Sequence, residues 1–98
     1  MSAVTVEHCR KSMQFAIKLG GSLTAHLDYR PVPGKEGRVL DFHHTFVPKE
    51  AGGRGLAALL VQHGFQYARD SKQLVRPTCS YVAAFVQKPE NAALKTLV

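Results

Sequence analysis

Apolar and polar positions alternate from residue 14 to residue 19, with Phe15, Ile17 and Leu19 on one side and Gln14, Ala16 and Lys18 on the other. A period of two marks a half-buried strand. Gly20-Gly21-Ser22 then reads as a tight hairpin turn, since glycine accepts positive φ freely. Residues 23–29 alternate again, Leu23, Ala25, Leu27 and Tyr29 against Thr24, His26 and Asp28. Residues 30–37, Arg-Pro-Val-Pro-Gly-Lys-Glu-Gly, have the composition of a loop. Residues 38–47 form a third strand, with Leu40, Phe42, His44 and Phe46 on one face. Val39, Asp41, His43, Thr45 and Val47 lie on the other face. Ahead of the three strands, residues 1–12 are polar and irregular, with Val4 and Val6 marking a short extended piece.

Residues 48–53 break the alternation, and from Arg54 the period becomes helical. Leu56, Leu60, Gly64 and Tyr67 share one stripe, with Ala57, Val61, Phe65 and Ala68 beside it, while Gln62, Gln66 and Arg69 mark the wet side. Residues 69–72 end the helix. Residues 73–78 read as a short strand interrupted by Pro77, which suits an edge or a splayed partner. Ser80 is placed to cap a short helix over residues 81–87, which stops before Pro89. From Glu90 the pattern is weak. The order β-β-β-α-β-α predicts an α+β (mixed α/β) fold, a mostly antiparallel sheet with a central helix and a short C-terminal one, and residues 1–98 are expected to form one domain.

Composition narrows the class without choosing a function. The 98 residues, 45% hydrophobic and 20% charged, suit a small packed core rather than a disordered chain. Two cysteines, Cys9 and Cys79, make no disulfide framework, and no CxxC pair is present. The start lacks the basic and apolar stretches of a signal peptide, and the longest apolar run, residues 56–61, is far short of a membrane span. A cytosolic location is therefore the expectation. Thirteen Lys and Arg against seven Asp and Glu give a net charge of +6, which attracts polyanions, whether nucleic acid, anionic lipid or a cofactor with several phosphates, and chooses none of them. The basic residues are scattered, with no basic block and no aromatic-basic interleaving, so nucleic-acid binding remains only a minor alternative.

The informative segment is Val47-Pro-Lys-Glu-Ala-Gly-Gly-Arg-Gly-Leu-Ala57. A helix N-terminus offers free N–H groups and the positive end of the dipole to a phosphate. Glycines 52, 53 and 55 allow close approach, and Arg54 can pair with a phosphate oxygen. No Lys-Ser or Lys-Thr follows Gly55, so the segment is not a Walker loop. Gly53-x-Gly55-x-x-Ala58 satisfies a loose dinucleotide pattern, but hairpins precede it and the nearest acid, Asp70, ends the same helix. A coenzyme A pyrophosphate loop and a plain glycine-rich linker both remain open on the local sequence.

Three blocks carry a wider resemblance: Asp41-Phe-His-His-Thr-Phe-Val-Pro48, Gly52-Gly-Arg-Gly-Leu-Ala57 and Pro77-Thr-Cys-Ser-Tyr-Val82. On these the chain resembles the short GNAT-superfamily acetyltransferases, in particular the YjdJ-type branch, over nearly its whole length. The resemblance implies that acetyl-CoA, or coenzyme A, lies where two neighbouring strands splay. Its pantetheine arm would pair with the backbone of Thr45, Phe46 and Val47, and its pyrophosphate would sit on Gly52, Gly53, Arg54, Gly55, Leu56 and Ala57. Ser80 and Tyr81 would complete the cofactor side. Where this chain has Gly52 the superfamily usually carries Gln or Arg, so one phosphate-side contact is either missing or supplied by Arg54.

Candidate chemistry centres on Cys79 and His44. A thiol at a helix N-terminus has a lowered pKa, and the resemblance places Cys79 at the sulfur end of the cleft. Histidine suits the base that keeps an amine neutral, and the branch pattern favours His44 over His43. Asp41 is a possible partner for His44, although the two fall on opposite faces of an ideal strand, so a direct pair requires a bulge. The alternative for His44 is a structural histidine between sheet and helix. Tyr81 is a candidate proton donor. His8, His26 and His63 have no ligand-like spacing, and no metal site is expected. The expected function is transfer of an acetyl group from acetyl-CoA to an amine acceptor, the partner being a small molecule or a protein amine. The alternative is a protein that binds coenzyme A or acyl-CoA without efficient turnover.

Overall fold

A computed structural model describes residues 5–20, 23–34, 37–52 and 55–98. Five strands form one sheet in sequence order: β1 (Glu7–Cys9), β2 (Gln14–Gly20), β3 (Leu23–Gly34), β4 (Gly37–Phe46) and β5 (Leu74–Arg76). The first three pairings are antiparallel, while β4 and β5 run parallel across the helix that joins them, α1 (Leu56–Asp70). A short helix α2 (Ser80–Gln87) and a 3-10 segment (Pro89–Leu97) follow. The 3-10 segment packs on both α1 and α2.

Alternation on β2 and β3 buries Phe15, Ile17, Ala25, Leu27 and Tyr29 under α1, as the pattern requires. Opposite them α1 buries Leu56, Leu60, Val61, Gly64, Phe65 and Ala68. Phe42 and Phe65 meet edge to face, 5.6 Å between centroids. Gly64 sets the spacing of the two layers. A Cβ built on it would lie 2.8 Å from the Phe42 ring and 3.0 Å from Leu27, so only hydrogen fits there. Full burial of side chains such as Phe42 or Leu60 contributes about 1.5–3 kcal/mol each.

Three expectations are corrected. Residues 30–37 do not form a loop: Pro31, Val32 and Pro33 pair with Leu40, Val39 and Arg38 as the β3–β4 ribbon continues to Gly34 and Gly37. Two prolines spaced by two residues turn their nitrogens to the same edge. That edge is free here, because the pairing of β2 with β3 ends at Gln14 and Asp28. The polar start contains a strand, β1, in which His8 stacks on Phe15 at 4.3 Å and bonds the Tyr29 hydroxyl at 2.6 Å. Ser80 does not cap α2: it is the first helical residue, and Cys79 occupies the cap position.

The expected face assignment of β4 fails beyond Phe42. Tyr29 pairs with Phe42 and Asp28 with His44, so His43 is an extra residue on β4, a β-bulge. The bulge reverses every side chain after it. Thr45 joins Phe42 on the α1 side, whereas His44 and Phe46 pass to the opposite face of the sheet.

Candidate functional site

The site is built on the point where β4 and β5 separate. Their parallel pairing runs only from Val39–Leu74 to Asp41–Arg76. Pro77 turns the chain away, and the next link is the Cys79 N–H, which donates to the Phe42 carbonyl at 2.9 Å. Beyond Phe42 the β5-side edge of β4 has no strand neighbour among the described residues, so Thr45 and Phe46 carry an open backbone edge. Pro48 and a 3-10 turn, Lys49–Ala51, lead from this edge toward α1, and the Gly52 N–H closes that turn on the Lys49 carbonyl.

Gly55 caps α1 in the left-handed region, φ 72° and ψ 18°, and its carbonyl accepts from the Leu59 N–H at 3.2 Å. A Cβ there would meet nothing within 4 Å, so backbone conformation alone favours glycine. Among the described residues no side chain caps α1, and its first turn holds no acid. The N–H groups of Leu56 and Ala57 therefore belong to a helix end left open to an anion. Gly53 and Arg54, the remaining members of the expected loop, lie outside the described residues.

On the other side of the splay, the Cys79 thiol donates to the Thr45 hydroxyl at 3.5 Å. Burial, the largest single effect, pushes the thiol pKa up, but the hydrogen bonds available to the thiolate from the Thr45 hydroxyl and from nearby backbone N–H groups together outweigh it. The N–H groups of Val82 and Tyr81 are among these, although short of true caps, and the pKa falls below the ordinary thiol value. Tyr81 is half-buried in the next turn, and burial raises its phenol pKa, keeping the O–H protonated at neutral pH. Ser80 is exposed at the mouth of this turn.

Asp41 does not partner His44, although the bulge brings both to the same face. Its carboxylate is buried, accepts from the Thr78 hydroxyl, and pairs with Arg30 at 3.4 Å. Asp41 thus pins the start of the splay. His44 is exposed on the face away from α1, which also overturns a structural place between sheet and helix, and His43 is exposed as well. Around His44 lies a polar cluster that sequence reasoning missed. Asp28 Oδ1 accepts from the Gln14 amide at 2.9 Å and contacts His26 Nδ1 at 2.8 Å, while the His26 and His44 rings are 5.9 Å apart. The signal was present as a His-x-Asp spacing on the polar face of β3. Phe46, 46% exposed, stands beside His26. Among the described residues no three His, Cys, Asp or Glu side chains gather as metal ligands.

A splayed pair of parallel strands joined by an open-ended helix defines an acetyltransferase-type cleft, and comparison with known proteins agrees. Residues 14–94 match the family model described as GCN5-related N-acetyl-transferase, and the chain belongs to that family. It is also similar to Protein NATD1 of Bos taurus, 31% identical over 87% of this chain and 74% of the relative. Protein NATD1 of Xenopus tropicalis is 30% identical over 89% of this chain and 78% of the relative.

Proposed function

We propose that the chain is an acetyl-CoA-dependent N-acetyltransferase of the YjdJ-type branch, acting in the cytosol on an amine acceptor. The observation that carries this reading is the open β4 edge at Thr45 and Phe46. It lies between an uncapped helix end at Gly55–Ala57 and a thiol of lowered pKa at Cys79. Those three features suit, in order, an amide-bearing pantetheine arm, a pyrophosphate and a thioester. The net charge of +6 favours the same polyanionic donor.

In direct transfer the amine nitrogen bonds to the acetyl carbon as the carbon–sulfur bond breaks. The acceptor enters the splay from the sheet face that α1 does not cover, where the exposed His44 takes the proton lost by the amine. The departing thiolate takes a proton from Tyr81, whose raised pKa keeps that proton available. Cys79 and Thr45 line the acyl end.

A second reading, coenzyme A binding without efficient turnover, is favoured by one feature. No element among the described residues covers the His44 face to enclose an acceptor. Turnover assays with protein and small-molecule amines separate the two. Release of free coenzyme A that depends on the amine supports the enzyme, and tight acetyl-CoA binding with no release supports the binding protein.

A further inference from the structure

The mouth of the fold opposite the glycine-rich loop holds a second cleft, of about 580 Å³, that the acetyltransferase reading does not use. It lies at the C-terminal end of α1. The 15 residues of that helix put it roughly 22 Å from the N-terminal end. Arg10, Arg38 and Lys72 line it, with Tyr29 and Leu40 in its buried floor and Tyr67 in its wall, and no carboxylate lines it among the described residues.

The three cations are not accounted for by the helix they adjoin. A helix C-terminus draws cations to its free carbonyls, but three of the last four carbonyls are already taken. Tyr67 accepts from the Ser71 N–H at 2.9 Å and from its hydroxyl at 2.7 Å. Arg69 accepts from the Lys72 N–H at 3.1 Å, and Ala68 from the Gln73 N–H at 2.8 Å.

We infer that this cleft binds a phosphomonoester carried on a flat, largely apolar body, such as a mononucleotide. Three positive charges without a carboxylate call for a dianion rather than a single carboxylate, and two guanidinium forks suit phosphate oxygens. The tyrosine and leucine floor gives the apolar body a surface to lie on.

The test is a backbone amide NMR titration of the full chain with AMP, and separately with inorganic phosphate, at low salt. Saturating coenzyme A is present in a parallel series. Saturable shifts at Arg10, Ser71, Lys72 and Gln73 are expected, persisting with coenzyme A bound, with AMP tighter than phosphate. Arg38→Ala and Lys72→Ala, both at exposed positions, should each weaken AMP by about five-fold while leaving the melting temperature unchanged. Shifts confined to Gly52, Gly55 and Leu56 would mean that AMP occupies only the coenzyme loop, and would overturn the inference. Equal affinity for phosphate and AMP, or no loss in the two variants, would overturn it too. Failure of coenzyme A itself to bind would count against the proposed function and leave the AMP result standing.

Discussion

The Cys79 N–H donates to the Phe42 carbonyl at 2.9 Å, one residue beyond the last parallel pair of β4 and β5. That single bond fixes where the strands part and where α2 begins. It therefore also sets the thiol of Cys79 against Thr45.

The Thr45 side chain, together with the backbone N–H groups of Val82, Tyr81 and Thr45 itself, holds the Cys79 thiol pKa below its ordinary value against the larger single effect of burial. In a Cys9→Ser background, which removes the exposed second thiol, alkylation by iodoacetamide should titrate below an ordinary cysteine. Thr45→Val should move that midpoint upward and slow alkylation at pH 7. An unchanged midpoint would show that Thr45 does not tune the thiol.

Within the proposed mechanism, Cys79→Ala separates two chemistries. Direct transfer predicts a partial loss of kcat, and an acyl-enzyme predicts near-total loss with acetyl label on the wild-type thiol. His44→Ala should lower kcat by about 10²–10⁴-fold, yet keep stability within about 0.5 kcal/mol because the side chain is exposed. A large drop in melting temperature would instead make His44 a structural residue.

Gly64→Ala should destabilise the protein by up to about 2 kcal/mol. Alanine favours helix by about 1 kcal/mol over glycine, but its methyl would press into Phe42 and Leu27, and overpacking costs about 1–3 kcal/mol. Chemical denaturation gives the sign directly, and a more stable variant would mean that α1 moves off the sheet at no cost.

His8 links stability to pH. Burial, and then the nearby Arg10, lower its pKa, so the folded state favours the neutral ring. The unfolded chain then binds more protons in the window between the lowered pKa and the ordinary value of about 6.5. Stability is fully present above that window and is lost as pH falls through it. His8→Phe keeps a ring against Phe15 and Tyr67 but has nothing to titrate. Urea midpoints at pH 7.5 and 5.0 should differ more in the wild type than in the variant, and equal differences would remove His8 from the account.

Strand β2, the first parts of β3 and β4, and helix α1 were legible because hydrophobic period fixes which face is buried where no bulge intervenes. What escaped was local and small. One extra residue, His43, leaves no mark in composition, yet it moves His44 and Phe46 to the other face and brings Thr45 to the thiol side. Pro31 and Pro33 looked like loop residues because their tolerance on an edge depends on β2 ending early, a fact of the sheet rather than of the segment. The Asp41–Thr78 and Thr45–Cys79 contacts join residues far apart in sequence, so no spacing rule could announce them. Gly55 takes a left-handed cap conformation that its lack of a side chain permits, and that much of the glycine-rich turn was legible.

Calorimetric titration with acetyl-CoA, run on the wild type and on Arg54→Ala, tests the central claim most directly. The account predicts saturable binding near one equivalent, weakened by roughly ten-fold in the variant through loss of a charge-assisted phosphate contact. Folded wild-type protein that takes up no acetyl-CoA would contradict it.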